Sequence, residues 1–372
     1  MLLLCYAGEI KPLILPATYL TKEAMHIPDG YLSPSTCATL YAGSAPFWHT
    51  SLKKMKRRLN TQAVPLLSVF AAFSFVIMMF NLPLPGGTTG HAVGMGVAAI
   101  VLGPWGAILA ISVALAIQAI FFGDGGITAL GANCFNMAIA GSLVAYAVYR
   151  LIAGGAAIES TRRVAAAAIA GYCAINVSAL LAAIEFGIQP MLFHDATGAP
   201  LYAPYPLHIA VPAMMIGHLT IAGFAEAIVS GGVVAYLQRA EPALLKSTAP
   251  GANLAGEAPG WRGLRPLWIA LAALLVLTPL GILAAGAAWG EWMPEDFSSP
   301  AARQQIAAAS SNQPPPIKAP EGLQKLASIW TAPMPRYAPP LLKSEKFGYF
   351  LSGMAGTGLI LLVFLILGRL RT

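Results

Sequence analysis

Met25-His26 and His91 are the residues of this chain whose chemistry is hardest to explain as packing. If the chain starts at Met25, an amine, the first peptide nitrogen and an imidazole fall within one chelate. The Met25 amine and the His26 amide nitrogen then close a five-membered ring on a metal ion. The same amide nitrogen and His26 Nδ1 close a six-membered ring. The amide must lose its proton, which a strongly binding ion such as Ni2+ or Cu2+ promotes. His91 ends the glycine-rich run Pro83-Leu84-Pro85-Gly86-Gly87-Thr88-Thr89-Gly90-His91 and could supply a fourth nitrogen. Four nitrogens in a plane suit Ni(II) or Cu(II), whereas zinc prefers a tetrahedron. Such binding releases protons and therefore weakens at low pH.

Twenty-four residues precede Met25 and would cap that amine. They fit a signal peptide poorly. The start carries no basic residue, Glu9, Lys11, Pro12 and Pro16 interrupt the apolar run, and Lys22 lies three before a cut after Ala24. A start of translation at Met25 is the expectation, with a cleaved or retained leader as the alternatives.

Other polar residues within apolar segments are Gln118, Asn133, Asn136, Asn176, His218 and Glu226. Asn133 and Asn136 could hydrogen-bond between helices or orient His26 or His91 from behind. His218 and Glu226 lie two helical turns apart on one face and could form a polar track. Asp29 is expected to shape the Pro28-Asp29-Gly30 turn. His49, beside Trp48 and a basic run, reads as interfacial, and His194 and His208 flank an outer loop.

The elements that must position these groups are membrane helices. Of 372 residues, 57% are hydrophobic and 10% charged, against about 25% charged in a soluble domain. Seven apolar spans are expected in a first block, near 35–52, 63–80, 92–102, 105–121, 131–150, 164–186 and 208–237. Two more follow, at 267–288 and 348–368. A crossing needs about 20 residues, so 92–102 is expected to be a half-helix broken at Gly103-Pro104 and covered by protein.

With residue 26 outside, fourteen of the 22 Lys and Arg fall in inner segments, and the short outer loops 81–91, 123–126 and 187–207 hold none. That is the positive-inside pattern. It explains the net charge of +7 as topology anchors, not as a nucleic-acid surface. The expected parts are an extension 1–24, a bundle 25–238, an inner linker 239–265 and a two-span module 266–372. In the last, a long Pro-rich outer loop is expected to be extended and partly mobile.

Cys5, Cys37, Cys134 and Cys173 form no CxxC, and there is no GxxxxGK[ST] phosphate loop. HExxH and GxSxG are also lacking, which leaves an intramembrane hydrolase built on Ser178 or Ser230 with His218 without support. No enzyme activity and no organic cofactor are expected.

Four ordered motifs resemble a known family. Met25-His-Ile-Pro-Asp-Gly-Tyr-Leu32, Pro85-Gly-Gly-Thr-Thr-Gly-His91, Leu102-Gly-Pro-Trp-Gly106 and Phe122-Gly-Asp-Gly-Gly-Ile-Thr-Ala-Leu-Gly-Ala-Asn133 are similar to the CbiM/NikM family. These are the substrate-capturing membrane components of energy-coupling-factor importers for cobalt and nickel. In the tail, Thr278-Pro-Leu-Gly281, Ala288-Trp-Gly-Glu-Trp292 and Pro320-Glu-Gly-Leu323 resemble the small two-span companion subunit, fused as in the NikMN type.

The resemblance implies an all-α fold, a polytopic bundle of about seven helices plus a C-terminal transmembrane hairpin. It implies Ni2+ or Co2+ as transported substrate, nickel favoured, with Met25, His26 and His91 as ligands. Asn133, Asn136, His218 and Glu226 are candidates for supporting them. It further implies a membrane coupling subunit, a cytoplasmic ATPase and a bacterial inner membrane, with the metal site outside and the C-terminus inside. The rival within that transporter class is capture of a vitamin, which needs a roomier, aromatic-lined site.

Overall fold

The computed structural model of the chain describes residues 26–56, 63–248, 261, 263–284, 286–339 and 341–369. Helices α1 (Pro34–Lys56) and α2 (Ala63–Met78) open the bundle. A small antiparallel hairpin follows, β1 (Leu82–Leu84) against β2 (Thr88–Gly90), with Leu82 opposite Gly90. Then come α3 (Met95–Phe122), α4 (Leu130–Ala153), α5 (Thr161–Leu192), α6 (Leu207–Ala240) and α7 (Arg265–Leu283). Two short helices, α8 (Pro300–Ala309) and α9 (Glu321–Leu326), precede α10 (Glu345–Arg369). Six helices, α3 to α7 and α10, are long and apolar enough to cross a membrane. The protein is a polytopic helical membrane protein.

The expected spans coincide with helices, several of them longer than hydropathy suggested. The span expected at 164–186 is the middle of Thr161–Leu192. Its helix continues into polar ends, where hydropathy falls but backbone pairing does not. The break at Gly103-Pro104 is present. Gly103 sits at φ 70° and ψ 168° within α3, and Met95–Val101 before it is wholly buried. Three π-helical stretches, Gln118–Phe122, Cys134–Gly141 and His218–Ala222, interrupt α3, α4 and α6. Such widened turns are rare and concentrate at functional sites.

α3 runs through the middle of the bundle, packed by α1, α2, α4, α5 and α6. The C-terminal hairpin α7/α10 packs on α2. Its seam is aromatic. Phe122 stacks on Tyr337 at 4.9 Å, Tyr337 meets Tyr349 at 5.3 Å, and the Tyr349 hydroxyl donates to the Met79 carbonyl at 2.8 Å.

The outer loop of the tail differs from expectation. Instead of an extended mobile strand, residues 286–339 form a folded cap. Trp289, Trp292 and Phe297 are buried, the two indoles 5.5 Å apart. The Arg303 guanidinium donates to the carbonyls of Phe297, Pro315 and Pro316. Prolines lack donors, so a cation that collects their carbonyls fixes a run that cannot pair with itself.

Gly356 of α10 lies against the Phe75 ring, and a Cβ there would fall 2.1 Å from a ring carbon. Phe75 is completely buried and cannot swing aside. Gly356→Ala should therefore cost about 1–3 kcal/mol of packing, read as a lower melting temperature of the detergent-solubilised protein.

Candidate metal centre

The chain segment 26–33 enters one end of the bundle with several of its backbone groups paired. Ile27 N–H donates to Asn133 Oδ1 at 3.0 Å, and Asn133 Nδ2 donates back to the Ile27 carbonyl at 3.1 Å. Gly126 N–H donates to the same carbonyl at 2.9 Å. In return Asp29 accepts from Ile127 N–H at 3.2 Å, Thr128 N–H at 2.7 Å and the Thr128 hydroxyl. Ser33 N–H donates to Gln189 Oε1 at 2.9 Å, and the Tyr31 hydroxyl to the Trp292 carbonyl at 2.9 Å. Glycines make this approach possible. A Cβ on Gly126 would lie 2.4 Å from Asp29 N, and one on Gly125 2.9 Å from His26 Cβ.

His26 and His91 are thereby brought together. Their ring centroids are 5.2 Å apart at 69° between planes, and both residues are buried. His26 Nδ1 lies 3.0 Å from Asp124 Oδ1, within ion-pair reach. That contact lacks hydrogen-bond geometry, and neither His26 ring nitrogen has a hydrogen-bond partner among the described residues.

His91 Nδ1 lies 3.0 Å from the Ala92 carbonyl. Only an Nδ1–H tautomer suits that contact, which leaves the Nε2 lone pair free. Burial, reinforced by His26, lowers His91 to about 4, so its imidazole is neutral and available to a metal at neutral pH.

Glu226 holds the backbone beyond His91. Its carboxylate accepts from Val93 N–H at 2.7 Å, Gly94 N–H at 2.9 Å and Gly96 N–H at 3.3 Å, at the head of α3. An anion satisfies the unpaired donors and complements the dipole of a helix start. Glu226 and His218 do not form the polar track their spacing suggested. His218 lines the cavity, with Nδ1 2.8 Å from the Met214 carbonyl.

Asn133 holds the residue after His26. Asn136 lines the cavity and donates to Glu185 at 2.8 Å. Ser178 donates to the carbonyls of Asn136 and Ala174, and Ser230 to Glu226, so neither is poised as a nucleophile. Met25 lies outside the described residues.

Sequence reasoning missed three contributors. Asp124 appeared only within a glycine-rich motif, yet its Oδ2 accepts the Tyr337 hydroxyl at 2.6 Å, while Gln118 Nε2 donates to Tyr337 at 3.0 Å. The available signal was an acidic residue beside an apolar span. Tyr337 and Glu291 come from the tail, and no local pattern connects them with His26.

The cavity between these groups has a volume of about 90 Å3. Pockets for drug-sized organic molecules run from about 300 to 1,000 Å3. This one fits an ion. Among the described residues no three His, Cys, Asp or Glu side chains cluster as metal ligands, so a tight site here needs donors other than side chains.

Residues 26–244 match the family model for the CbiM cobalt-uptake substrate-specific transmembrane region. The chain belongs to the CbiM family. Residues 265–372 match the PDGLE domain. Over 336 residues the chain is 60% identical to the fused nickel transport protein NikMN of Rhodobacter capsulatus, covering 90% of this chain and 95% of that one. It is 31% identical over 266 residues to the cobalt transport protein CbiM of Geobacter sulfurreducens, covering 69% and 72%. A crystal structure of a transition metal transporter superposes with a TM-score of 0.56 at 49% identity, covering 62% of this chain and all of the other. The family is one of nickel and cobalt transport proteins.

Glu226→Ala should leave three buried N–H groups unpaired and let the His91 strand relax. Loss of such a supporting group typically costs 10–100-fold in metal affinity, and a fall in that range is expected in calorimetric Ni2+ titration. Glu226→Gln, which keeps an acceptor, should lose less.

Proposed function

We propose that this chain is the substrate-capture subunit of an ATP-driven energy-coupling-factor importer for Ni2+/Co2+, with nickel favoured. The observation that carries the reading is a buried His26 ring whose nitrogens have no hydrogen-bond partner among the described residues, 5.2 Å from His91 in a cavity of ionic size. Buried ring nitrogens without hydrogen bonds are costly, and a metal ion removes that cost.

The proposed donors are the Met25 amine, the His26 amide nitrogen, His26 Nδ1 and His91 Nε2. His26 Nδ1 faces Asp124, so metal must draw the ring's lone pair towards the cavity, with Asp124 left to balance charge. The reading requires a free amine at Met25, and hence a mature chain that begins there. Nickel is favoured because the fused NikMN arrangement of the Rhodobacter relative spans both parts of this chain. The small cavity argues against the vitamin alternative.

The remaining assignments follow from the same reading. The chain contains no phosphate loop, so ATP hydrolysis falls to a separate cytoplasmic subunit, reached through a membrane coupling subunit. Exposed Ala38 and Ala42 on α1 offer a small-residue face for such a subunit. The positive-inside pattern supports a metal site outside and a C-terminus inside, in what we take to be a bacterial inner membrane.

Intact mass of the native protein with and without Ni2+ tests the chelate. A chain starting at Met25 that gains one metal and loses protons is expected. Tight binding by a chain that retains residues 1–24 would sink it.

The pH dependence separates the donors. A neutral His91 needs no deprotonation above its value of about 4, whereas a terminal amine titrates near 8. Protons compete with metal, so Ni2+ affinity should fall as pH drops from about 8 to 6 with the amine, and His91 should add to that fall only below about pH 5. Equilibrium titrations across that range, with native and N-terminally acetylated protein, check this.

A further inference from the structure

Glu291 has no task in the capture chemistry above, yet it lies in the same cavity as His26 and His91. It is 6% exposed, and its Oε2 has no hydrogen-bond partner among the described residues. The turn that carries it is fixed. Glu291 N–H donates to the Ala288 carbonyl at 3.2 Å, Trp289 Nε1 donates to Ser310 at 3.1 Å, and the Trp292 carbonyl accepts the Tyr31 hydroxyl. The carboxyl is therefore held in the cavity by a rigid frame.

That placement is expensive. Burial and, after it, the charge of Asp124 hold the Glu291 carboxyl well above the usual carboxylate range. Among the described residues no Lys or Arg lines the cavity to offset it. A neutral amide or an apolar side chain of similar size would occupy the position at lower cost. The partner that makes a carboxylate favourable here is a cation from outside the protein.

We infer that Glu291 is a cation-ligating carboxylate of the C-terminal module, a way station that holds an incoming divalent ion before the nitrogen donors take it. This rests on the capture reading and adds to it. An oxygen donor suits an ion still carrying water, since a carboxyl gives up its own proton to the solvent far more readily than a peptide amide does. The ion then passes to His26 and His91 across one small cavity. Glu291 thus sets the rate of loading, while the nitrogens set the final affinity.

Stopped-flow Ni2+ binding to the full-length protein, followed by tryptophan quenching, tests the inference with Glu291→Gln and Glu291→Asp. Glu291→Gln should slow association by about tenfold or more, since an amide cannot ionise and focus charge when a cation arrives. It should leave dissociation unchanged and the melting temperature equal or higher. Glu291→Asp should recover most of the rate.

Association of Glu291→Gln at the wild-type rate would overturn the inference and leave capture standing. If Glu291→Gln lowers the melting temperature, Glu291→Asp decides. Recovered loading supports the way station, and slow loading with normal stability overturns it. A wild-type protein that takes up no Ni2+ would overturn the capture reading, and this inference with it.

Discussion

The whole site depends on burying a stretch of irregular backbone inside an apolar bundle. Every N–H and C=O taken from water must find a partner. Residues 26–29 and 123–128 solve this together. Asn133 imitates a neighbouring strand by offering its amide to both polar groups of Ile27. Gly126 adds a donor to Ile27, and Asp29 repays the loop through Ile127 and Thr128. Neither segment could be buried by itself. Once they pair, His26 has little freedom, because Ile27 after it is held.

The helices contribute by being imperfect. A regular α-helix spends all its backbone groups internally and presents side chains at fixed angles. The π stretches sit where Gln118, Asn136 and His218 are needed, and each widens a turn to redirect a polar side chain inward. The break at Gly103 divides α3, and the buried half before it begins beside Glu226. Glu226 is completely buried. Its ionisable group is kept in the membrane because it supplies acceptors for a helix start that has no other.

Much of this was legible in the sequence, for physical reasons. Span positions follow from hydropathy, and the break at Gly103-Pro104 from two residues that cannot continue a helix in the ordinary way. His26 and His91 stood out because a polar residue in a glycine-rich, membrane-facing turn is costly unless used. What stayed hidden was long-range. Tyr337 meets Asp124 across more than two hundred residues, and no periodicity encodes that pairing. The Pro-rich loop misled because composition reports the entropy of an isolated chain, whereas Arg303 and buried indoles supply the contacts that fix it. The His218–Glu226 spacing misled differently. Shared helical phase puts two residues on one face, but a π turn between them shifts that phase.

On the proposed reading, the scarcity of side-chain ligands is itself a means of selection. Mg2+ and Ca2+ require cages of oxygen atoms, which a small cavity lined by imidazoles and one carboxyl does not offer. Zinc is served best by three or four side chains in a tetrahedron, and among the described residues no such cluster exists. A site that relies on a peptide nitrogen admits only ions able to displace its proton. Copper would satisfy that demand at least as well as nickel, since it stands higher in the affinity order. Affinity therefore cannot be the source of discrimination against copper. It must come from which ions reach the cavity, whose wall includes Trp289 of the cap, packed on Phe186 and Trp292.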